Sequence, residues 1–226
     1  MGAVSDPGPQ DDWTAVDELL DDTLLGDDPA LSAALADSSA AGLPPIEVSP
    51  QAAKLLSLLV AATHANRVLE IGTLGGYSTI CLAQAVAAGG SIVTLEYEPR
   101  HAEIARANLE RAGVADRVEV IVGAALDTLP TLAGGEPYDF VFIDADKENN
   151  SAYVQWAIDL GRPGTVIVVD NVVRNGRVLH PAPDDYQAQA VRDMLEMMGR
   201  HPRLDTAAIQ TVGVKGWDGF ALALVT

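Results

Sequence analysis

The chain has 226 residues, 48% of them hydrophobic, enough for one domain to bury a substantial core without disulfides or metals to hold it. Its 14 basic and 32 acidic residues leave a net charge of −18, a surface that repels phosphate backbones and disfavours nucleic acid as substrate or partner. The lone Cys81 has no internal disulfide partner, no apolar run reaches membrane-spanning length, and the N-terminus lacks a signal peptide's basic and apolar regions. The expectation is therefore a soluble, cytoplasmic protein with no membrane partner.

Residues 1–12, rich in Pro, Gly and Asp, read as a disordered tail. Residues 13–48 read as an acidic helical extension, with "WTAVDELLDDTLL" and "DPALSAALADSSA" as two amphipathic helices. Asp28 is placed to cap the second, with Pro29 in its first helical position. Eleven acidic residues and no Lys or Arg precede Lys54, and a solvated face is the expectation for them. From residue 49 to 226 the pattern is that of a single α/β domain. Ser49 caps a packed helix, "PQAAKLLSLLVAATH", and strands then alternate with helices. The strands are "RVLEI", "SIVTLE", "RVEVIV", "YDFVFID" and "GTVIVVD", followed after a helix by an antiparallel pair, "DTAAIQTV" and "GFALALV". Such apolar strands describe a mostly parallel sheet covered on both faces, which binds ligands beyond its carboxyl edge. At that edge the chain places Glu70, Gly72, Glu96, Gly123, Asp144, Asp170 and Asn171.

The first strand ends in "EIGTLGGYS". Gly72, Gly75 and Gly76 allow a tight turn and a close approach of backbone to ligand, and the next helix offers free N–H groups to an anion. Glu96 ends the following strand, where a carboxylate accepts ribose hydroxyls. A dinucleotide fingerprint needs glycine at the first, third and sixth positions of the loop, but here they hold Gly72, Leu74 and Tyr77. A ligand with a ribose at one end and a small carboxylate at the other fits better, and S-adenosylmethionine is such a ligand. Its carboxylate would meet the turn and Ser78, and its amino group would be drawn to Glu70.

"FIDADKENN" at 142–150 raises the question of why a buried strand should end on Asp144, Asp146 and Lys147. A simple helix start, with Asn149 as cap, is one answer. If the strands ending at Asp144 and Asp170 are adjacent, their carboxylates and the Asn171 amide form an all-oxygen set suited to a hard cation such as Mg²⁺. Lys147 then either takes the proton of a phenol or neutralises Asp144 or Asp146. Asp146 supports the site or faces the cofactor. His64, His101, His180 and His201 show no ligand spacing and read as surface or packing residues.

"EIGTLGGYS", "VTLE", "VGAALDTLP", "FIDADK" and "VVDN" stand in the order and spacing of the cation-dependent O-methyltransferases, and over residues 45–226 the chain resembles their caffeoyl-CoA branch. The resemblance implies a Rossmann-like S-adenosylmethionine-dependent fold with a seven-stranded sheet, and usually a homodimer. It implies Asp144, Asp170 and Asn171 as ligands of Mg²⁺ (or Mn²⁺ or Ca²⁺), with Lys147 and Asp144 as catalytic residues. It implies Val48, Glu70, Gly72, Thr73, Ser78, Glu96, Ala125 and Asp144 around the methyl donor. Asn150 departs from the Tyr usual there, and the acidic front offers little to a coenzyme A phosphate, so the expected substrate is a smaller vicinal-diol phenol. Rival readings are a metal-independent methyltransferase, an NAD-linked dehydrogenase and a non-catalytic module of the same fold. Arg174, Asn175 and His180, in the loop after Asn171, either touch substrate or belong to an ordinary exposed loop.

Overall fold

Strands apolar along their whole length must be covered on both faces, and the computed structural model, which describes residues 9–226, covers them with helices. The strands are β1 (Arg67–Ile71), β2 (Ser91–Glu96), β3 (Val118–Val122), β4 (Tyr138–Ile143), β5 (Gly161–Asp170), β6 (Leu204–Gly213) and β7 (Gly216–Val225). They form one sheet in the order β3-β2-β1-β4-β5-β7-β6, in which β7 runs antiparallel to both its neighbours. The expected fold is thus present. Chain direction through the sheet reverses between β1 and β4, which pair in parallel with Ile71 opposite Ile143. The crevice at such a switch point is where open α/β sheets take their ligands.

Helices α1 (Pro9–Leu24), α2 (Pro29–Ala40), α3 (Pro50–Ala62), α4 (Tyr77–Ala85), α5 (Pro99–Arg111), the single turn α6 (Ala125–Thr128), α7 (Asn150–Leu160) and α8 (Tyr186–Arg200) complete the chain. Alternate strand residues point to opposite faces, so two cores form. Ile71, Val93, Ile143 and Val169 pack with α7 and α8, while Val68, Ile92, Phe140, Phe142 and Val168 pack with α2 to α5. Phe140 and Phe142 are wholly buried, and each such burial stabilises the fold by about 2–3 kcal/mol. The predicted caps are in place: Asp28 Oδ1 accepts from Ala30 N and Leu31 N, and Ser49 Oγ from Ala52 N. Cys81 is a packed core thiol, pushed up to about 12 by burial. Among the described residues no helix is long and apolar enough to cross a membrane.

Three expectations need correction. The tail expected over 1–12 lies mostly outside the described residues, but Pro9–Asp12 form the first turn of α1, where proline's fixed φ suits a helix start. The strand expected from residue 164 begins at Gly161, with a register break against β4 between Tyr138 and Phe140. The closing hairpin is longer than expected, its turn reduced to Val214 and Lys215 because Gly213 and Gly216 already pair.

The acidic front is more than a solvated face. Asp17 Oδ2 accepts from Val214 N at 2.7 Å, Asp21 Oδ1 from Gln51 Nε2 at 2.8 Å, and Asp28 Oδ2 from Gln84 Nε2 at 2.9 Å. Asp37 pairs with Arg111, and Glu47 Oε1 meets Lys215 Nζ at 2.9 Å. Each of these acids fastens the front segment to the sheet domain.

Candidate active site

Beyond the carboxyl ends of β1, β2, β4 and β5 lies a cleft of about 1160 Å³, roomy enough for an adenosine-containing donor beside a small aromatic. One end is walled by Gly72, Thr73, Leu74, Gly75, Tyr77 and Ser78, with Glu96, His101 and Ala125 beside them. The other end is walled by Asp144, Lys147, Asp170, Asn171, Arg174 and Asp218. Val48 and the linker residues before it form part of the rim.

Gly72 has a reason the sequence could not supply. Its φ is +102°, and a Cβ there would overlap the carbonyl oxygen of Asp144. The glycine lets the end of β1 cross the end of β4, where Asp144 N already donates to Ile71 O at 2.9 Å. Ligand approach is a second benefit. The loop is then pinned from β2: Glu96 Oε2 accepts from Thr73 N at 3.2 Å and Leu74 N at 2.7 Å, and Oε1 from Glu98 N at 2.9 Å. A carboxylate has about four lone-pair sites, so backbone fills most of Glu96 and leaves room for one ribose hydroxyl rather than two. His101, expected to be uninvolved, sits with Nδ1 3.5 Å from Glu96 Oε1 and lines the same wall.

Glu70 lies under the loop, outside the cleft wall. It is fully buried and accepts from Ser78 Oγ at 2.7 Å, Thr79 Oγ1 at 2.5 Å and Thr94 Oγ1 at 2.6 Å. Burial raises its carboxyl from 4.5 to about 7, against the lowering effect of the three hydroxyls. It ties β1 and β2 to the start of α4 from beneath, with Ser78 between it and the cleft. Ser78 lines the cleft, but its hydroxyl hydrogen is already committed to Glu70.

At the acidic end, β4 and β5 are adjacent, so Asp144 and Asp170 do converge. Asn171 follows with φ +60°, a left-handed turn that an Asn tolerates, and its N–H donates to Asp170 Oδ1 at 2.7 Å. Burial first, and the Asp144 charge second, raise the Asp170 carboxyl above the usual carboxylate range, with Lys147 opposing. Two like charges held this close in a partly dry corner are destabilising unless a cation joins them. Among the described residues no three His, Cys, Asp or Glu side chains gather as a metal cluster, and the donor set is two carboxylates and one amide. That oxygen-only set fits a hard cation. Lys147 is buried, with Nζ 2.9 Å from Asp144 Oδ1. Asn149 does not cap α7, and its Nδ2 donates instead to Asp146 Oδ2. Tyr153 O–H donates to Asp146 Oδ1, so Asp146, itself on the cleft wall, is held in place by Tyr153 and Asn149. Asp218 of β7 was not foreseen: its Oδ1 accepts from Val173 N at 2.9 Å and Arg174 N at 3.0 Å, fixing the loop that carries Asn171.

Comparison with known proteins agrees with this fold. The family model described as O-methyltransferase matches residues 27–224. A catechol O-methyltransferase of Mycobacterium tuberculosis is 66% identical over 225 residues, covering 100% of both chains. An O-methyltransferase from Bacillus cereus, solved in complex with S-adenosylhomocysteine, is 50% identical with a TM-score of 0.94, covering 96% of this chain and 99% of that one. One from Streptomyces achromogenes involved in tomaymycin synthesis, solved with S-adenosylmethionine, is 47% identical with a TM-score of 0.94, covering 97% and 100%. The chain belongs to the O-methyltransferase family and has the fold of its S-adenosylmethionine-dependent members.

Proposed function

We propose that the protein is an S-adenosylmethionine-dependent, divalent-cation-dependent O-methyltransferase acting on a small phenol with vicinal hydroxyls. The observation that carries the reading is one cleft with two chemically distinct ends. A glycine loop pinned by Glu96 lies at one, and Asp144, Asp170, Asn171 and Lys147 lie at the other. The name of the mycobacterial relative supports the substrate class, and the two structures solved with donor or product support the cofactor.

Asp144, Asp170 and Asn171 would hold Mg²⁺, Mn²⁺ or Ca²⁺, which when bound gathers both hydroxyls of a diol and acidifies one of them. The sulfonium of the donor supplies an activated methyl group. The chain's own contribution is position and proton transfer. Lys147 Nζ is the group placed to take the phenolic proton, and Asp144 Oδ1 steadies the ammonium across 2.9 Å. Gly72, Thr73 and Ser78 hold the amino-acid end of the donor, Glu96 its ribose, and Val48 and Ala125 its flanks. Buried Lys147 and the apolar β4 end keep bulk water from the departing proton. A homodimer belongs to the same reading, supported by edge strand β6, which exposes Ile209 and Val212, and by Val16, Leu19 and Leu24 exposed on α1.

The test is methyl transfer from S-adenosylmethionine to catechol with and without Mg²⁺. Activity that is lost in excess chelator and restored by the cation is expected. Full activity in chelator contradicts the cation, and transfer only to nitrogen or carboxylate acceptors contradicts the substrate class.

A further inference from the structure

Among the described residues, the acidic end of the cleft carries one cation with no carboxylate partner. Among the cationic groups on the cleft wall, Lys147 is paired with Asp144, Lys215 with Glu47, and His101 faces Glu96. Among the described residues Arg174 makes no ion pair, in a chain with 32 acidic residues. Its Nη2 donates to the neutral Gln187 Oε1 at 2.5 Å, and its Nε is a buried nitrogen without a partner. Asp185, whose carboxyl feels the Arg174 charge, is taken by Arg177 and by the N–H of Ala188.

The backbone beneath is held in an uncommon conformation. Arg174, Asn175 and Gly176 all have positive φ, at 56°, 54° and 75°, which for the two non-glycine residues costs free energy. Asp218 Oδ1 fixes the entry through Val173 N and Arg174 N, and Arg177 closes the turn with N and Nε both donating to Arg174 O at 3.1 Å. Trp217 packs against Gly176 so closely that a Cβ there would strike its ring. A loop strained and locked this way three residues beyond Asn171 holds Arg174 in the wall of the cleft that Asp144, Asp170 and Asn171 also line.

We infer that Arg174 is a specificity-determining residue that binds a carboxylate on the aromatic substrate, so that the preferred substrates are vicinal diols carrying an acid group rather than neutral catechols. The inference rests on the proposed diol-methylating activity and sharpens it. A guanidinium fork matches a carboxylate in geometry as well as charge, and the side-chain partner Arg174 has among the described residues is the neutral Gln187 Oε1, which a substrate carboxylate replaces without breaking an ion pair. The remaining wall, with Asp144, Asp146, Asp170 and Asp218, repels anions, so an acid group is tolerated only where Arg174 meets it.

The experiment compares 3,4-dihydroxybenzoate with catechol in two readouts. One is the ratio of their kcat/KM values. The other is the ratio of their Kd values by calorimetry on protein loaded with S-adenosylhomocysteine and Mg²⁺. The wild type is expected to favour the acid in both. Arg174→Gln is expected to lower each ratio by roughly 10–100-fold, the size of one charge-assisted hydrogen-bonded contact. Arg174→Lys, which keeps the charge but not the fork, is expected to fall between. Equal handling of the two diols by the wild type, a preference unchanged in Arg174→Gln, or no binding of either overturns the inference. If neither diol is methylated while the calorimetric preference for the acid persists and depends on Arg174, the inference stands and the methyl-transfer reading fails.

Discussion

The acidic residues fall into two regions that use the same side chain in opposite ways. In the front segment Asp17, Asp21, Asp28, Asp37 and Glu47 each meet a donor at the surface of α1, α2 or the linker, and the contacts act as clasps. At the carboxyl edge of the sheet Asp144 and Asp170 crowd together in a half-buried corner where Lys147 pairs with Asp144, and the Asp170 carboxyl is raised. Exposed clasps are each worth at most about 1 kcal/mol because water and salt screen them. A buried pair of like charges is costly, and a fold keeps it where a ligand repays the cost. Net charge therefore says little about function here, and the convergence of two half-buried carboxylates says most.

That contrast breaks most sharply at Asp144. Asp144→Ala removes a proposed cation ligand and the partner of Lys147, and turnover on catechol should drop by about 10³-fold or more, several kcal/mol of barrier, with Mg²⁺ binding weakened in calorimetry. Lys147→Ala should lower kcat by about 10²–10⁴-fold while S-adenosylmethionine still binds, as an equilibrium titration of the donor will show. Gly72→Ala forces a Cβ onto the Asp144 carbonyl and should cost on the order of 2–4 kcal/mol in urea unfolding.

Glu70 sharpens the comparison through pH. Its folded pKa of about 7 lies above the ordinary 4.5, so the folded state holds the proton more tightly than the unfolded chain does. Its contribution to stability is full below pH 4.5 and is lost as pH rises towards 7, at most about 3 kcal/mol in all. Glu70→Gln should flatten that slope in unfolding curves measured across the window. The smallest effect belongs to the front: Lys215→Ala releases Glu47 and the Pro45 carbonyl and should cost at most about 1 kcal/mol, diminishing with salt.

Much of the fold was legible because the strands are apolar throughout and their spacing leaves room only for crossover helices. The convergence of Asp144 and Asp170 was legible for the same reason: each interrupts an apolar run at its last residue, and those runs turned out to be neighbours. What the sequence hid depends on contacts between distant segments. Gly72 reads as a ligand-binding glycine, while its tightest neighbour is the backbone of Asp144. Glu70 reads as a cleft carboxylate because it lies beside the loop, yet three hydroxyls hold it underneath. Asp218 supports the Asn171 loop from 45 residues away in sequence, and Lys215 clasps a linker 168 residues before it. No periodicity or local motif encodes such pairings.

The central claim is that Asp144 and Asp170 converge to hold a divalent cation, and Mn²⁺ titration followed by electron paramagnetic resonance tests it most directly. The account predicts one bound Mn²⁺ per chain in the wild type and its loss in the Asp144→Asn, Asp170→Asn double variant. Equal Mn²⁺ binding by the two proteins, or none by the wild type, would contradict it.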